Sequence, residues 1–165
     1  MAPPQVRLIC DHMLGSLAKW LRLLGYDTIY PGPLEDKEMA AKAYDESRVL
    51  LTRDKDMASR VQKAVFVASD DLDVQLRTVA ENLHLDMSQP LSLCSVCNVP
   101  IVEIERERVR DSVPPKVFEL QKEFWKCPSC SRIYWRGTHW EDMLRRIRKL
   151  ESELGGSAGQ SSHKD

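Results

Sequence analysis

Short apolar runs alternate with amphipathic stretches through the first half of the chain. Val6-Arg7-Leu8-Ile9-Cys10 has the texture of a buried strand and stops at Asp11. Met13, Leu14, Leu17, Ala18, Leu21 and Leu24 then recur at helical spacing over about His12 to Leu24, and Gly25 stands where a helix C-cap belongs. Tyr26 to Tyr30 predicts a second strand closed by Pro31-Gly32-Pro33, after which Asp36 occupies an N-cap position ahead of Met39, Ala40, Ala43 and Tyr44. Val49 to Thr52 predicts a third strand, ending at Arg53-Asp54-Lys55-Asp56. Ala64 to Ala68 predicts a fourth, and a helix carrying Leu72, Leu76, Val79 and Leu83 on one face follows Asp70 and Asp71, with Asp70 read as its N-cap. Strand and helix alternating at this rhythm predict right-handed crossovers and a parallel sheet covered on both faces. Residues 1–90 therefore read as an α/β domain, a three-layer α/β/α sandwich.

After Pro90 the pattern changes. Closely spaced cysteines, a β-prone run from Ile101 to Ile104, the pair Pro114-Pro115 and a cluster of aromatics describe a separate small module over residues 91–154. It ends in a helix from His139 to about Leu154, with Met143, Leu144, Ile147, Leu150 and Leu154 on one side and Arg145, Arg146, Arg148 and Lys149 elsewhere. Residues 155–165 read as a disordered tail.

Composition adds exclusions. With 42% apolar and 30% charged residues the chain can build a packed core, which excludes wholesale disorder and collagen-like or coiled-coil chains. No run reaches the roughly eighteen apolar residues of a membrane span, and MAPPQVR lacks the apolar segment of a secretion signal. No membrane partner and a cytoplasmic or nuclear location are expected, where paired cysteines bind metal or do chemistry more often than they form disulfides.

Four of the five cysteines are paired. Cys94-Ser95-Val96-Cys97 and Cys127-Pro128-Ser129-Cys130 each turn two thiolates toward one point, and two such pairs complete a tetrahedral zinc site. Redox or merely buried pairs are the competing readings, against which the duplication argues. Four thiolates leave no open position, so this Zn²⁺ would fold the module rather than catalyse. Cys10, alone in an apolar run, reads as a small buried hydrophobe.

The acids suggest a second site. In a parallel sheet the ligand crevice lies outside the C-terminal ends of the strands, where Asp11 and Asp54 both fall. Asp36 is open to two readings, helix cap or ligand, and Asp56 stands two residues past Asp54 and could equally be a solvated helix start. Clustered carboxylates suit Mg²⁺ or Mn²⁺, which offset their mutual repulsion, activate water and neutralise charge on a phosphodiester. No P-loop, GxGxxG or nucleophile elbow is present, and Met13 stands where a haloacid-type phosphatase would need a second aspartate.

Charge separates the two halves. Between Phe124 and Leu150 seven basic residues face two acidic ones, and Phe124, Trp125, Tyr134, Trp135 and Trp140 are interleaved with Lys126, Arg132 and Arg136. Rings beside cations hold single-stranded nucleic acid by stacking and phosphate attraction, although about half of such rings are expected in the core of a small zinc module.

Several segments in this order resemble a known family: DHMLGSLAKWLRLLGYD, EDKEMAAKAYDESRVLLTRDKD, DDLDVQL, CSVCN and FWKCPSCSRIYWRGTHWEDM. Together, from about Val6 to Leu144, they resemble the Mut-seven C-terminal RNase domain, a PIN-like nuclease domain followed by a zinc ribbon. The resemblance implies a PIN-like sandwich with divalent-metal-dependent ribonuclease chemistry on Asp11, Asp36 and Asp54. Asp56 leads Glu38, Asp71 and Asp73 as a fourth acid. One departure is Leu93, where arginine would be expected before the first cysteine.

The expectation is thus a ribonuclease that hydrolyses single-stranded RNA. Mg²⁺ or Mn²⁺ would be held by Asp11, Asp36 and Asp54, with Arg53, Lys55 and Arg22 available to transition-state charge, although Arg22 also reads as a solvated helix residue. The zinc ribbon would clamp RNA through Arg132, Arg136, Arg145, Arg146 and Trp135. The rival is a catalytically inactive nucleic-acid-binding or protein-adaptor module. A small-molecule phosphatase is a weaker third, disfavoured by the basic aromatic stretch.

Overall fold

The structure, a computed structural model, describes residues 5–86 and 91–157. They form two compact units, one running through Ile101 together with Cys127–Cys130, the other comprising Val102–Lys126 and the described residues from Ser131 onward.

The first unit holds a four-stranded, wholly parallel sheet. Its strands are β1 (Leu8–Cys10), β2 (Thr28–Ile29), β3 (Val49–Thr52) and β4 (Ala64–Phe66), in the order β2-β1-β3-β4. Helices α1 (Gly15–Leu23), α2 (Asp36–Asp45), α3 (Lys55–Arg60) and α4 (Leu72–Leu83) make up the outer layers. Alternation along the strands assigns the layers: Ile9, Ile29, Leu50 and Ala64 share one face and pack against Met39 and Ala43 of α2 and Met57 of α3. Leu8, Cys10, Leu51 and Val65 point to the other face; α1 and α4 are in contact, and Leu17 and Leu21 of α1 and Leu76 and Val79 of α4 are buried. Because both faces are covered, β1 and β3 are buried at every position, which is why they read as continuous apolar runs rather than alternating ones.

The ends of α1 follow from local chemistry. Gly25 has φ +95, the N–H of Gly25 donates to the Arg22 carbonyl, and that of Tyr26 donates to Leu21, the paired bonds of a left-handed helix stop that a side chain at Gly25 would strain. At the other end a Cβ on Gly15 would lie 3.2 Å from the Tyr30 ring, so glycine lets the second strand's exit pack closely on the helix start.

Two caps differ from expectation. Glu35, not Asp36, is the N-cap of α2: its side chain accepts from the Glu38 backbone while the Glu38 carboxylate accepts from the Glu35 N–H at 3.0 Å, a reciprocal box that leaves Asp36 as the first helical residue. Asp71, not Asp70, caps α4, accepting from Val74 N at 3.0 Å. For α3 the sequence offers only the reading of Asp56 as a helix start, because a helix of six residues is too short to display a period.

The second unit contains an antiparallel sheet of order β5-β6-β7, with β5 at Val102–Ile104, β6 at Phe124–Lys126 and β7 at Ile133–Tyr134. A 3₁₀ turn (Arg106–Val109) and α5 (Pro115–Leu120) lie between β5 and β6, and Pro115 occupies the first turn of α5, where its missing N–H is no loss. Val109, Val113, Phe118 and Phe124 make the core, joined by Ile104, Val117, Ile133 and Trp135. The guanidinium of Arg106 lies 3.8 Å above the Phe118 ring and donates to the Phe118 carbonyl at 2.6 Å. The final helix, α6 (Thr138–Ser157), runs three residues beyond the Leu154 at which the apolar pattern ends. Met143, Ile147 and Leu150 are buried. Residues 158–165 of the expected tail lie outside the described residues. Among the described residues no helix is long and apolar enough to cross a membrane.

Candidate functional site

The four cysteines meet. Their sulfurs all lie within 4.8 Å of one another, and among the described residues they are the one group of three or more ligand side chains gathered closely enough to share an ion. A tetrahedron with metal–sulfur distances of about 2.3 Å has edges of about 3.8 Å. The separation of Cys94 Sγ and Cys130 Sγ is 3.8 Å.

Each pair sits in a turn that organises its own sulfur. The N–H of Cys97 points at Cys94 Sγ at 3.4 Å, and those of Ser129 and Cys130 point at Cys127 Sγ at 3.4 and 3.5 Å. Each turn is then reversed by a residue with positive φ, Asn98 (59) and Ser131 (65). Sharing a hydrogen bond with Cys130, and desolvation after that, push the Cys97 thiol up to about 11. Four thiolates can stand this close only when a cation offsets their charge, and a borderline-soft tetrahedral ion fits the donor set. These residues suit structural zinc.

Arg22 joins this centre to the sheet, which corrects both earlier readings of it as a transition-state cation or a solvated helix residue. Its side chain is buried. Nε donates to the Thr28 carbonyl at 2.8 Å, and Nη1 donates to the carbonyls of Ser95 and Val96, inside the first cysteine turn, at 2.8 and 3.2 Å. The peptides of this turn thus offer an N–H to sulfur on one side and carbonyls to a guanidinium on the other. Burial lowers the Arg22 pKa below its ordinary value, and the neighbouring thiols oppose that shift. Asn98 completes the join, accepting from Thr28 N at 3.0 Å and donating to Asp27 at 2.7 Å. Asp27 also pairs with buried Arg48 at 2.9 Å. A signal for Arg22 was present: it falls four residues after Ala18 and beside Leu21, on the core side of α1, where a cation survives only with partners.

The acidic residues divide. Asp11, Asp36 and Asp54 line one cavity of about 270 Å³, together with His12, Met13, Leu34, Met39, Thr52, Arg53 and Met57. The sheet order explains the meeting, because these acids follow β1, β2 and β3, three adjacent parallel strands whose C-terminal ends share an edge. Asp56 does not line the cavity; it is exposed in the first turn of α3, its backbone carbonyl accepting from Ser59 Oγ at 2.7 Å. Glu38 is engaged in its capping box, and Asp71 caps α4.

Asp11 is the organised member. It is buried; Oδ1 accepts from Met13 N at 2.9 Å, and Oδ2 accepts from Thr52 Oγ1 at 2.6 Å and Arg53 N at 2.8 Å. A carboxylate has about four acceptor positions, so three donors orient it and leave one for a ligand in the cavity. Thr52, which the sequence reading passed over, is fully buried and bridges two acids: the same hydroxyl that donates to Asp11 accepts from Asp54 N at 3.0 Å. Asp54 caps α3, its Oδ1 accepting from Met57 N at 3.0 Å, and is otherwise exposed. Asp36 is exposed and lies 4.0 Å from Arg60, a contact solvent screens. Arg53 lines the cavity, whereas Lys55 is exposed outside its lining.

The basic residues lie mostly on the second unit's surface. Arg132, Arg136, Arg145 and Arg146 are exposed, with Arg145 paired to Asp142 at 3.0 Å and Arg136 to Glu123 at 3.7 Å. Trp135 is half-buried edge-on to Phe124, ring centres 6.4 Å apart, as part of the core.

The fold is thus an α/β protein with a four-stranded parallel sheet, an open cavity lined by carboxylates past its strand ends and four cysteines gathered within metal-binding distance. The chain belongs to the Mut7-C RNAse domain family, whose model matches residues 6–147. Membership points to a nuclease and to RNA as the polymer it meets. Neither a curated protein nor a solved structure matches the chain.

Proposed function

We propose that the chain is a divalent-metal-dependent ribonuclease that hydrolyses phosphodiester bonds of single-stranded RNA at the acidic cavity, with the zinc-bearing region assisting RNA binding. The observation that carries the reading is the convergence of Asp11, Asp36 and Asp54 on one cavity at the strand ends, with Asp11 oriented by three donors. Mg²⁺ or Mn²⁺ bound there supplies an activated water and offsets phosphodiester charge. Asp11 presents its remaining lone pair from a rigid strand end. Asp54 and Asp36, exposed at the starts of two helices, can adjust to the ion's preferred geometry. Arg53, whose backbone is tied to Asp11, places a guanidinium at the cavity where phosphate charge develops.

The test is cleavage of labelled single-stranded RNA by zinc-loaded protein with and without Mn²⁺ or Mg²⁺. Asp11→Asn and Asp54→Asn should each lower the rate by about 100- to 1000-fold, the scale of losing several kcal/mol of metal-assisted stabilisation. Asparagine at position 54 keeps the helix cap, so loss there reports the charge and not the fold. The adaptor reading has one observation in its favour: the cysteines are gathered tightly enough to share an ion and the carboxylates are not. Folded protein that binds RNA and leaves it intact in Mn²⁺ would establish it.

A further inference from the structure

The sheet of the second unit buries one face and turns the other away from its core. Register puts Phe124 beside Ile104 on the core side and sets Glu103, Trp125 and Tyr134 abreast on the opposite side. Trp125 and Tyr134 are half-buried there, and so is Trp140 at the start of α6. Arg136, two residues beyond Tyr134, lies over both indoles, its guanidinium 5.0 Å from the Trp125 ring centre and 5.2 Å from that of Trp140. Its ion pair with Glu123, at 3.7 Å, joins two side chains that are each more than half exposed, and is therefore easily released.

A flat cation resting on two electron-rich rings marks ground that suits a nucleobase equally well, since every base has a π face to stack. The surroundings suit a phosphate chain: Arg132, Arg145, Arg148 and Lys149 are exposed, in a stretch with seven basic residues against two acidic. The core role of Trp135 leaves Trp125 and Trp140 as the second unit's tryptophans placed for stacking.

We propose that Trp125 and Trp140 form a base-stacking platform for single-stranded nucleic acid, and that Arg136 covers the rings in the free protein and moves to a phosphate when a base arrives. The platform deepens the ribonuclease reading and rests on it, because it names the side chains that hold the substrate.

The experiment is titration of the zinc-loaded full chain with oligouridylate, oligodeoxythymidylate and inorganic polyphosphate, without added Mg²⁺ or Mn²⁺, followed by tryptophan fluorescence and by anisotropy of a labelled strand. Both oligonucleotides should quench the tryptophans on binding. Trp125→Ala and Trp140→Ala should each weaken binding by about 5- to 100-fold, the contribution of stacking one base. Trp125→Phe, which keeps a ring, should restore most of that loss, and Trp135→Phe should bind as the parent does. Arg136→Ala should make the dependence of log affinity on log salt shallower by about 0.7, one phosphate contact of a single strand. Folded Trp125→Ala and Trp140→Ala proteins binding within twofold of the parent would overturn the platform, as would polyphosphate binding as tightly as the oligonucleotides. Quenching that follows these expectations in a protein that never cleaves RNA in Mn²⁺ would sink the ribonuclease reading alone. Cleavage with an unchanged KM in both alanine variants would sink the platform alone.

Discussion

The cysteine centre and the acidic cavity are built in opposite ways, although both belong to the first unit. The cysteines come from two four-residue turns that orient their own sulfurs through N–H···S bonds, and all four sulfurs already stand within 4.8 Å of one another. The acids come from three separate strand-to-helix connections, with one carboxylate locked and two exposed. A closed set of soft ligands, held locally, suits an ion that stays. An open set of hard ligands with adjustable members suits an ion that must also accommodate substrate. Rigidity is concentrated at the cysteines and largely withheld at the acids.

The strongest way to separate the two is to remove a buried thiolate. Cys127→Ser should reduce bound zinc from about one per chain to near zero and lower stability by several kcal/mol, because metal binding free energy at such sites is folding free energy. Metal analysis and thermal melting read both, and full zinc content with an unchanged melt would show that the cluster holds no ion.

A smaller effect should come from Thr52→Val, which removes the hydroxyl between Asp11 and Asp54 without changing side-chain shape. Activity and divalent-ion affinity should fall by about 10- to 100-fold, the usual cost of losing an outer partner of a metal ligand. Zinc content should stay at one per chain. If zinc falls as well, the two centres are not independent.

Arg22→Met tests the join from the other side. It leaves the carbonyls of Thr28, Ser95 and Val96 short of a buried donor, which should cost about 1–3 kcal/mol of stability. Zinc should pass to a competing chelator about tenfold more readily, as expected for an outer-shell loss. Unchanged chelator competition would confine Arg22 to packing. The smallest effect belongs to Asp56→Asn: this carboxylate does not line the cavity, so the cleavage rate should remain within about threefold of the parent, within the range of ordinary surface substitutions. A loss as large as that of Asp11→Asn would mean that Asp56 swings inward to complete the metal site.

Much of this molecule is legible along the chain because its signals are short-range. Apolar runs at Leu8–Cys10 and Val49–Thr52, helical periodicity in Leu14, Leu17 and Leu21, the left-handed stop at Gly25 and the paired cysteine turns all depend on residues within a few positions of one another. Even the meeting of Asp11, Asp36 and Asp54 at one cavity was legible in outline, since a parallel sheet brings its strand ends to one edge wherever the strands lie within it. What could not be read was anything that required knowing which strand neighbours which. The order β2-β1-β3 brings Asp36, Asp11 and Asp54 to one cavity and leaves Asp56 outside it. It also places Thr28 where Arg22 and Asn98 reach it, turning an arginine in a helix into the tie between sheet and cysteine turn. Local sequence determined the elements and the ligand types, through periodicity and turn chemistry. The tertiary structure alone decided which side chains share a space, because strand order is set by burying both faces of the sheet at once, a condition no single segment carries.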